Sequence, residues 1–189
     1  MAITEEQKRR IEAFVEQRCR ENDKHHQMKH MKEVVARALW LAKEKNADID
    51  ACWASAMLHD IAKAEKGDHG DVGAAEAKAF LLGIGVDGKT ADMVYDAIYF
   101  HNKHFVGGPI ERQILWDADK WETLSSGFEE RIVDFFKAET SDKRKLAELV
   151  EREYLIFKGH FHTKEAVTNE EKYRPAIERR IAELKQDAA

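Results

Sequence analysis

Val94, Ala97, Ile98 and His101 fall at i, i+3, i+4 and i+7, and the same spacing recurs along most of the chain. Residues so placed share one face of a helix, whereas in a strand they would scatter over both faces. Each such stretch therefore needs a neighbour to cover its apolar stripe. Only 2 prolines and 10 glycines interrupt the 189 residues, too few for a turn-rich β architecture. The expected fold class is all-α, a single-domain helical bundle over residues 1–189, a length sufficient for one proper core.

Thr4 and Gln7 have capping-box spacing ahead of Ile11, Phe14, Val15 and Cys19, which predicts a first helix from Thr4 to Arg20. After the polar break ENDKHHQ, the residues Met31, Val34, Val35, Ala38, Leu39 and Ala42 mark the buried side of a second helix ending near KEKNAD. Asp48 or Asp50 can cap a third, carrying Ala51, Ala54, Met57, Leu58 and Ile61 until KGDHGD interrupts it. An alanine-rich helix through Ala74, Ala75, Ala79, Phe80 and Leu81 follows. Asp71 and Asp87 read as caps or turn residues. Pro109 suits a helix start, and Ile114, Leu115, Ala118 and Trp121 continue the core. FEERIVDFF adds another amphipathic stretch. Helices near Leu146 to Phe157 and Thr168 to Leu184 complete the pattern, with Pro175 either kinking the last one or starting it.

Several function classes drop out on composition. A formal net charge of -5 argues against wrapping a polymeric nucleic acid, which demands many basic phosphate contacts, but leaves single nucleotides open. The opening MAITEEQKRR lacks a signal-peptide core, and no apolar run is long enough to span a bilayer, so no membrane partner and a cytoplasmic location are expected. Cys19 and Cys52 fit no CxxC spacing, which argues against a zinc-thiolate site and makes both core or helix-surface thiols.

The 9 histidines are more informative by position than by number. His30 lies one turn before Val34 and three before Leu41, which points it inward. His59 and Asp60 stand side by side near a helix end, about 100° apart around the axis, so both can reach one point. His101 ends an apolar stripe, and burial would strand its imidazole without a hydrogen bond or metal. Asp117 and Asp119 flank Ala118 by about 100° on either side, and periodicity does not choose between them. His26 lies one turn before His30; His160 and His162 alternate near a helix end, with a solvent-exposed or substrate-edge role. Mixed imidazole and carboxylate donors suit Mn, Fe, Co, Ni or Zn, with Mg as a further option, and the lack of cysteine ligands argues against a closed thiolate zinc site.

Taken in order, HMKEVV with His30, MLHDIAK with His59 and Asp60, and ILWDADKWE with Asp119 resemble the HD superfamily of metal-dependent phosphohydrolases. The resemblance covers about residues 24–130, leaving C-terminal helices over about 131–186. It implies an HD-type helical domain and selects Asp119 over Asp117 as the final ligand. GDHGDVGAAEA and AIYFHNKH are similar to segments that supply extra ligands in the two-metal branches, which implicates His69 and His101. His26 through His30 resembles an HxxxH entrance motif, and FHTKEA resembles a C-terminal segment of uncharacterised HD hydrolases. Trp121-Glu122 departs from the more usual Leu-Asp.

The implied function is hydrolysis of a phosphate ester or anhydride on a small molecule, with a nucleotide as the expected substrate. His30, His59, Asp60 and Asp119 would hold the principal ion, and His69 and His101 would join Asp60 around a second. Asp60 and Lys63 are the expected catalytic residues. Lys63, one turn after His59, is placed to steady charge on phosphate, with Lys120 and Arg112 as further substrate-binding candidates. A di-iron oxygenase of the same fold and a metal-containing nucleotide sensor without turnover are the rival readings.

Overall fold

Thr4 accepts a hydrogen bond from the Gln7 backbone while the Gln7 side chain reaches back to the Thr4 backbone, so the capping box opens helix α1, Glu5–Cys19. The computed structural model describes residues 2–20, 28–65, 67–125 and 127–188; His25, His26 and the ENDKHHQ break lie outside them. Among the described residues all regular structure is helical: α2 (Met28–Lys45), α3 (Ile49–Leu58), α4 (His69–Gly83), α5 (Gly88–Phe100), α6 (Ile110–Ser125), a π-helical turn over Phe128–Val133, α7 (Asp134–Glu139), α8 (Lys143–Phe157) and α9 (Lys164–Gln186). The fold is all-α, as the periodicity predicts.

The chain divides into two compact units, Met1–Asp119 and Lys120–Ala189. In the first, α4 lies along α5 and α2 along α3, while α3 also packs on α5 and on α1. Phe14 of α1 stacks on Phe80 of α4, ring centroids 4.1 Å apart. Helix α3 is buried almost all round, through Ala51, Cys52, Ala54, Ser55, Ala56, Met57 and Leu58. A helix with no polar face belongs inside a bundle. Its C-terminal end therefore delivers the next residues, His59 and Asp60, into the interior, where they are 0% and 3% exposed.

Several expected boundaries move for identifiable reasons. Helix α3 stops at Leu58 instead of running through Ile61, because the chain tightens into successive three-residue turns, Ile61 N–H to Leu58 C=O and Lys63 N–H to Asp60 C=O. Asp48 and Asp87 are caps as expected, but α4 is capped by Asp68, and Asp71 lies within its first turn. On α4 the buried residues are Gly70, Gly73, Ala74, Ala77 and Leu81, while Ala75 and Ala79 are exposed. Trp116 is the buried tryptophan of α6, and Trp121 is half-buried.

In the second unit α8 and α9 pair, and FEERIVDFF splits into the π-helical turn and α7. Helix α9 starts earlier than expected, at Lys164, because the Thr163 hydroxyl caps the Ala166 N–H. Pro175 thus lies inside the helix. Buried Glu170 is gripped by both nitrogens of an Arg174 fork.

Candidate metal centre

Three segments of the first unit bring four residues to one buried point. His30 comes from the first turns of α2, His59 and Asp60 from the end of α3, and Asp119 from α6; all four are at most 5% exposed. His30 Nε2 lies 3.1 Å from His59 Nε2 and 3.4 Å from Asp119 Oδ1. Asp60 Oδ2 lies 3.4 Å from His59 Nε2 and 3.8 Å from His30 Nε2. His59 Nε2 to Asp119 Oδ1 is 3.9 Å. Asp119 rather than Asp117 joins these groups, although both are buried.

The other oxygen of Asp60 serves a second group. Asp60 Oδ1 lies 3.6 Å from His69 Nε2 and 3.5 Å from His101 Nε2, which are 3.2 Å from each other. His69 opens α4, and His101 follows the last residue of α5. His69 is the more open of the pair, its side chain 20% exposed against 2% for His101.

These spacings have a chemical meaning. A metal–nitrogen bond of about 2.1 Å sets neighbouring ligand atoms about 3.0–3.4 Å apart in octahedral or tetrahedral geometry. The closest pairs lie in that range, and the longer separations are within a small adjustment of it. His59 Nδ1 faces the Ala56 carbonyl at 2.9 Å and His101 Nδ1 faces the Ile98 carbonyl at 2.6 Å. A carbonyl only accepts, so the proton sits on Nδ1 and the lone pair on Nε2, where a metal would bind. His30, His59, Asp60 and Asp119 can thus hold one ion, and Asp60, His69 and His101 a second.

The electrostatics favour a cation there. Burial works against a charge on His59, but the Asp60 carboxylate and, more weakly, Asp119 outweigh it and raise the His59 pKa. Burial opposes ionisation of Asp60 too, yet His59 and Lys63 hold its carboxyl well below the usual range. The carboxylates that raise His59 carry the negative charge that a divalent ion would neutralise. The thiols take no part: burial raises Cys19 to about 11 and Cys52 to about 12.

The flanking cations fall differently. Lys63 is half-buried in the turn after Asp60 and lends its charge to that carboxylate. Lys120 is half-buried and follows Asp119 on α6. Arg112 is drawn elsewhere: Nε and Nη2 grip Asp96 at 2.8 and 2.5 Å, and its guanidinium lies 3.7 Å from the centroid of Phe100. His104 packs on Trp116. In the second unit, His160 is exposed, His162 is half-buried, and Glu122 receives Arg131 at 2.9 Å.

One set of residues near the centre escaped the sequence reading. Asp68, the α4 cap, accepts a 2.7 Å hydrogen bond from Asn102 Nδ2, and Lys103 Nζ reaches Asp71 at 2.7 Å and Asp68 at 3.3 Å. The available signal was an Asp immediately before a helix-opening His, which is the position of an N-cap.

The HD domain model matches residues 28–124. The bifunctional uridylyltransferase/uridylyl-removing enzyme of Bordetella pertussis is 30% identical over 112 residues, 58% of this chain and 11% of that protein. The chain thus spans about a tenth of the length of that curated relative. Two solved structures share the fold. Bacillus subtilis YpgQ in complex with ADP has TM-score 0.73 and 20% identity over 96% of this chain and 95% of that one. A Lactobacillus plantarum protein has TM-score 0.80 and 16% identity over 98% of each chain. With the family model matching more than half of its length, the chain belongs to the HD-domain family.

Proposed function

We propose that this protein hydrolyses a phosphate ester or anhydride of a small nucleotide at a binuclear metal centre. The observation that carries the reading is the division of Asp60: one oxygen faces His30 and His59, the other His69 and His101. A single carboxylate presented to two donor sets in this way is what a bridging ligand requires. A divalent ion held by these residues would lower the pKa of a coordinated water and polarise a phosphoryl oxygen.

The chain's own residues do the rest. Asp60 and Asp119 supply negative charge that keeps cations in the interior, and the carbonyls of Ala56 and Ile98 hold His59 and His101 in the tautomer with Nε2 free to coordinate. Lys63, whose charge stabilises the Asp60 carboxylate, would act on phosphate oxygens as charge develops. The donor set of imidazoles and carboxylates suits Mn, Fe, Co, Ni or Zn, with Mg a weaker match to so many nitrogens. A nucleotide substrate is supported by the ADP held by the YpgQ structure and by the uridylyl-removing activity in the name of the Bordetella relative.

The test is a panel of nucleoside mono-, di- and triphosphates and simple phosphoesters, assayed with each metal and paired with metal analysis. Phosphate release that persists without oxygen and disappears in Asp60→Ala supports the reading. Bound iron with substrate-dependent oxygen uptake would replace it with the oxygenase alternative, for which the bridging carboxylate is equally suited. Tight nucleotide binding with no product under any metal would make the protein a sensor.

A further inference from the structure

The two histidines of the second donor set come from opposite helix ends. His69 is the first residue of α4, where no intrahelical hydrogen bond fixes the backbone N–H, and His101 follows the last residue of α5. Their 3.2 Å approach therefore depends on what holds the start of α4 against the end of α5. The residues adjoining both histidines make that connection. Asp68 accepts from the Gly70 N–H at 2.9 Å, capping α4, and the same Oδ1 accepts from Asn102 Nδ2 at 2.7 Å. Lys103 Nζ donates to the Tyr99 carbonyl at 2.7 Å, an acceptor in the last turn of α5, and to Asp71 Oδ1 at 2.7 Å, with Asp68 Oδ2 at 3.3 Å.

Charge and helix direction agree in this arrangement. The acidic pair lies at the N-terminal, positive end of α4, and the lysine at the C-terminal, negative end of α5. Space agrees too. A Cβ on Gly70 would lie 2.5 Å from Asn102 Oδ1, so the amide reaches Asp68 across a gap that only glycine leaves open.

We propose that Asp68, Asn102 and Lys103 form a clamp that positions His69 and His101 for the second metal ion. The clamp rests on the binuclear reading above. Its members touch neither ion nor substrate; they act through the two histidines they adjoin.

The test is calorimetric titration of the metal-stripped full chain with Mn2+, alongside the melting temperature of the metal-free protein. The wild type is expected to take up two ions and His69→Ala one. Asn102→Ala should leave the first ion within about twofold and weaken the second about 10-fold or more, the size of effect seen when groups supporting a ligand are removed. Gly70→Ala, which displaces the same amide, should do likewise. Asn102→Asp sets a carboxylate against Asp68 and should weaken the second ion further. If His69→Ala loses an ion but Asn102→Ala and Gly70→Ala do not, the clamp is overturned and the binuclear centre stands. A parallel loss of both ions and of metal-free stability in Asn102→Ala would reduce the network to a structural role and also overturn the proposal. A wild type that binds a single ion, unchanged by His69→Ala, would overturn both readings.

Discussion

His30 and His59, twenty-nine residues apart in sequence, bring their Nε2 atoms to 3.1 Å inside the first unit. Because His59 directs Nδ1 at the Ala56 carbonyl, its Nε2 presents a lone pair, and that lone pair meets His30 Nε2 between the Asp60 and Asp119 oxygens. Such a cluster is stabilised by a cation. Mn2+ at a hundred times its dissociation constant is expected to add about 2.7 kcal/mol. For a chain of this size that is a rise of roughly 5–10 °C in melting temperature. Scanning calorimetry with and without the ion checks this, and His59→Ala should erase most of the difference.

Asp60 and Asp119 are both buried carboxylates, but they stand differently toward the two donor sets. Asp60 faces both, whereas Asp119 is grouped with His30 and His59. Asp60→Asn keeps the side-chain shape yet removes the second anionic oxygen, so uptake of both ions should fail and phosphatase turnover should drop more than about 100-fold, beyond the effect of a supporting group. Asp119→Asn should weaken the first ion while the second is still taken up. Equal losses in the two variants, read by metal analysis after dialysis, would contradict this division.

Most of the helices and of the centre were legible because burial imposes a period on sequence. His30 and His101 sit in register with apolar residues of α2 and α5, so their inward direction follows from spacing alone. His59 and Asp60 were legible as a pair but not in their setting, since the end of α3 depends on turns that leave no apolar signature. Asp117 and Asp119 could not be separated by period, because both are buried beside Ala118; the motif resemblance made the choice, and Asp119 is the one that lies with His30 and His59. Arg112 shows what spacing cannot give: its partner Asp96 lies on another helix, and long-range ion pairs leave no local pattern.

That pairing separates Arg112 from Lys63. With its fork on Asp96 and its plane over Phe100, Arg112 is expected to contribute to stability rather than to turnover. Arg112→Ala should cost about 1–3 kcal/mol in chemical denaturation, with kcat and KM within about twofold of wild type. Lys63→Ala should do the reverse, lowering kcat with little change in stability.

The thiols offer a check on the packing around α1 and α3. Cys19 and Cys52 are 3% and 1% exposed, and burial lifts them to about 11 and about 12. A thiol reagent needs both access and thiolate, and the native protein provides neither at pH 8. Ellman's reagent is expected to label no cysteine in the native chain within minutes and both after denaturation. Prompt labelling of either in the native state would mean that the end of α1 or the core of α3 opens readily.

Asp87 gives the fold a pH dependence of known sign. Its carboxylate receives the Thr90 hydroxyl at 2.8 Å and the Thr90 N–H at 3.2 Å, capping α5, the helix that leads to His101. The Thr90 hydroxyl is the largest of several causes, the Thr90 N–H among the others, that lower the carboxyl from 3.8 to about 2. A carboxyl lowered on folding binds fewer protons in the native state, so its contribution is fully present above the ordinary value and is lost as pH falls through the folded one. Asp87→Asn can still cap the helix but carries no charge. The wild type should therefore melt above Asp87→Asn at pH 6, the gap should narrow once pH drops below 3.8, and it should close near pH 2. Melting curves of the two proteins across that range make the measurement, and a gap that widened on acidification would show that the carboxylate does not stabilise the cap.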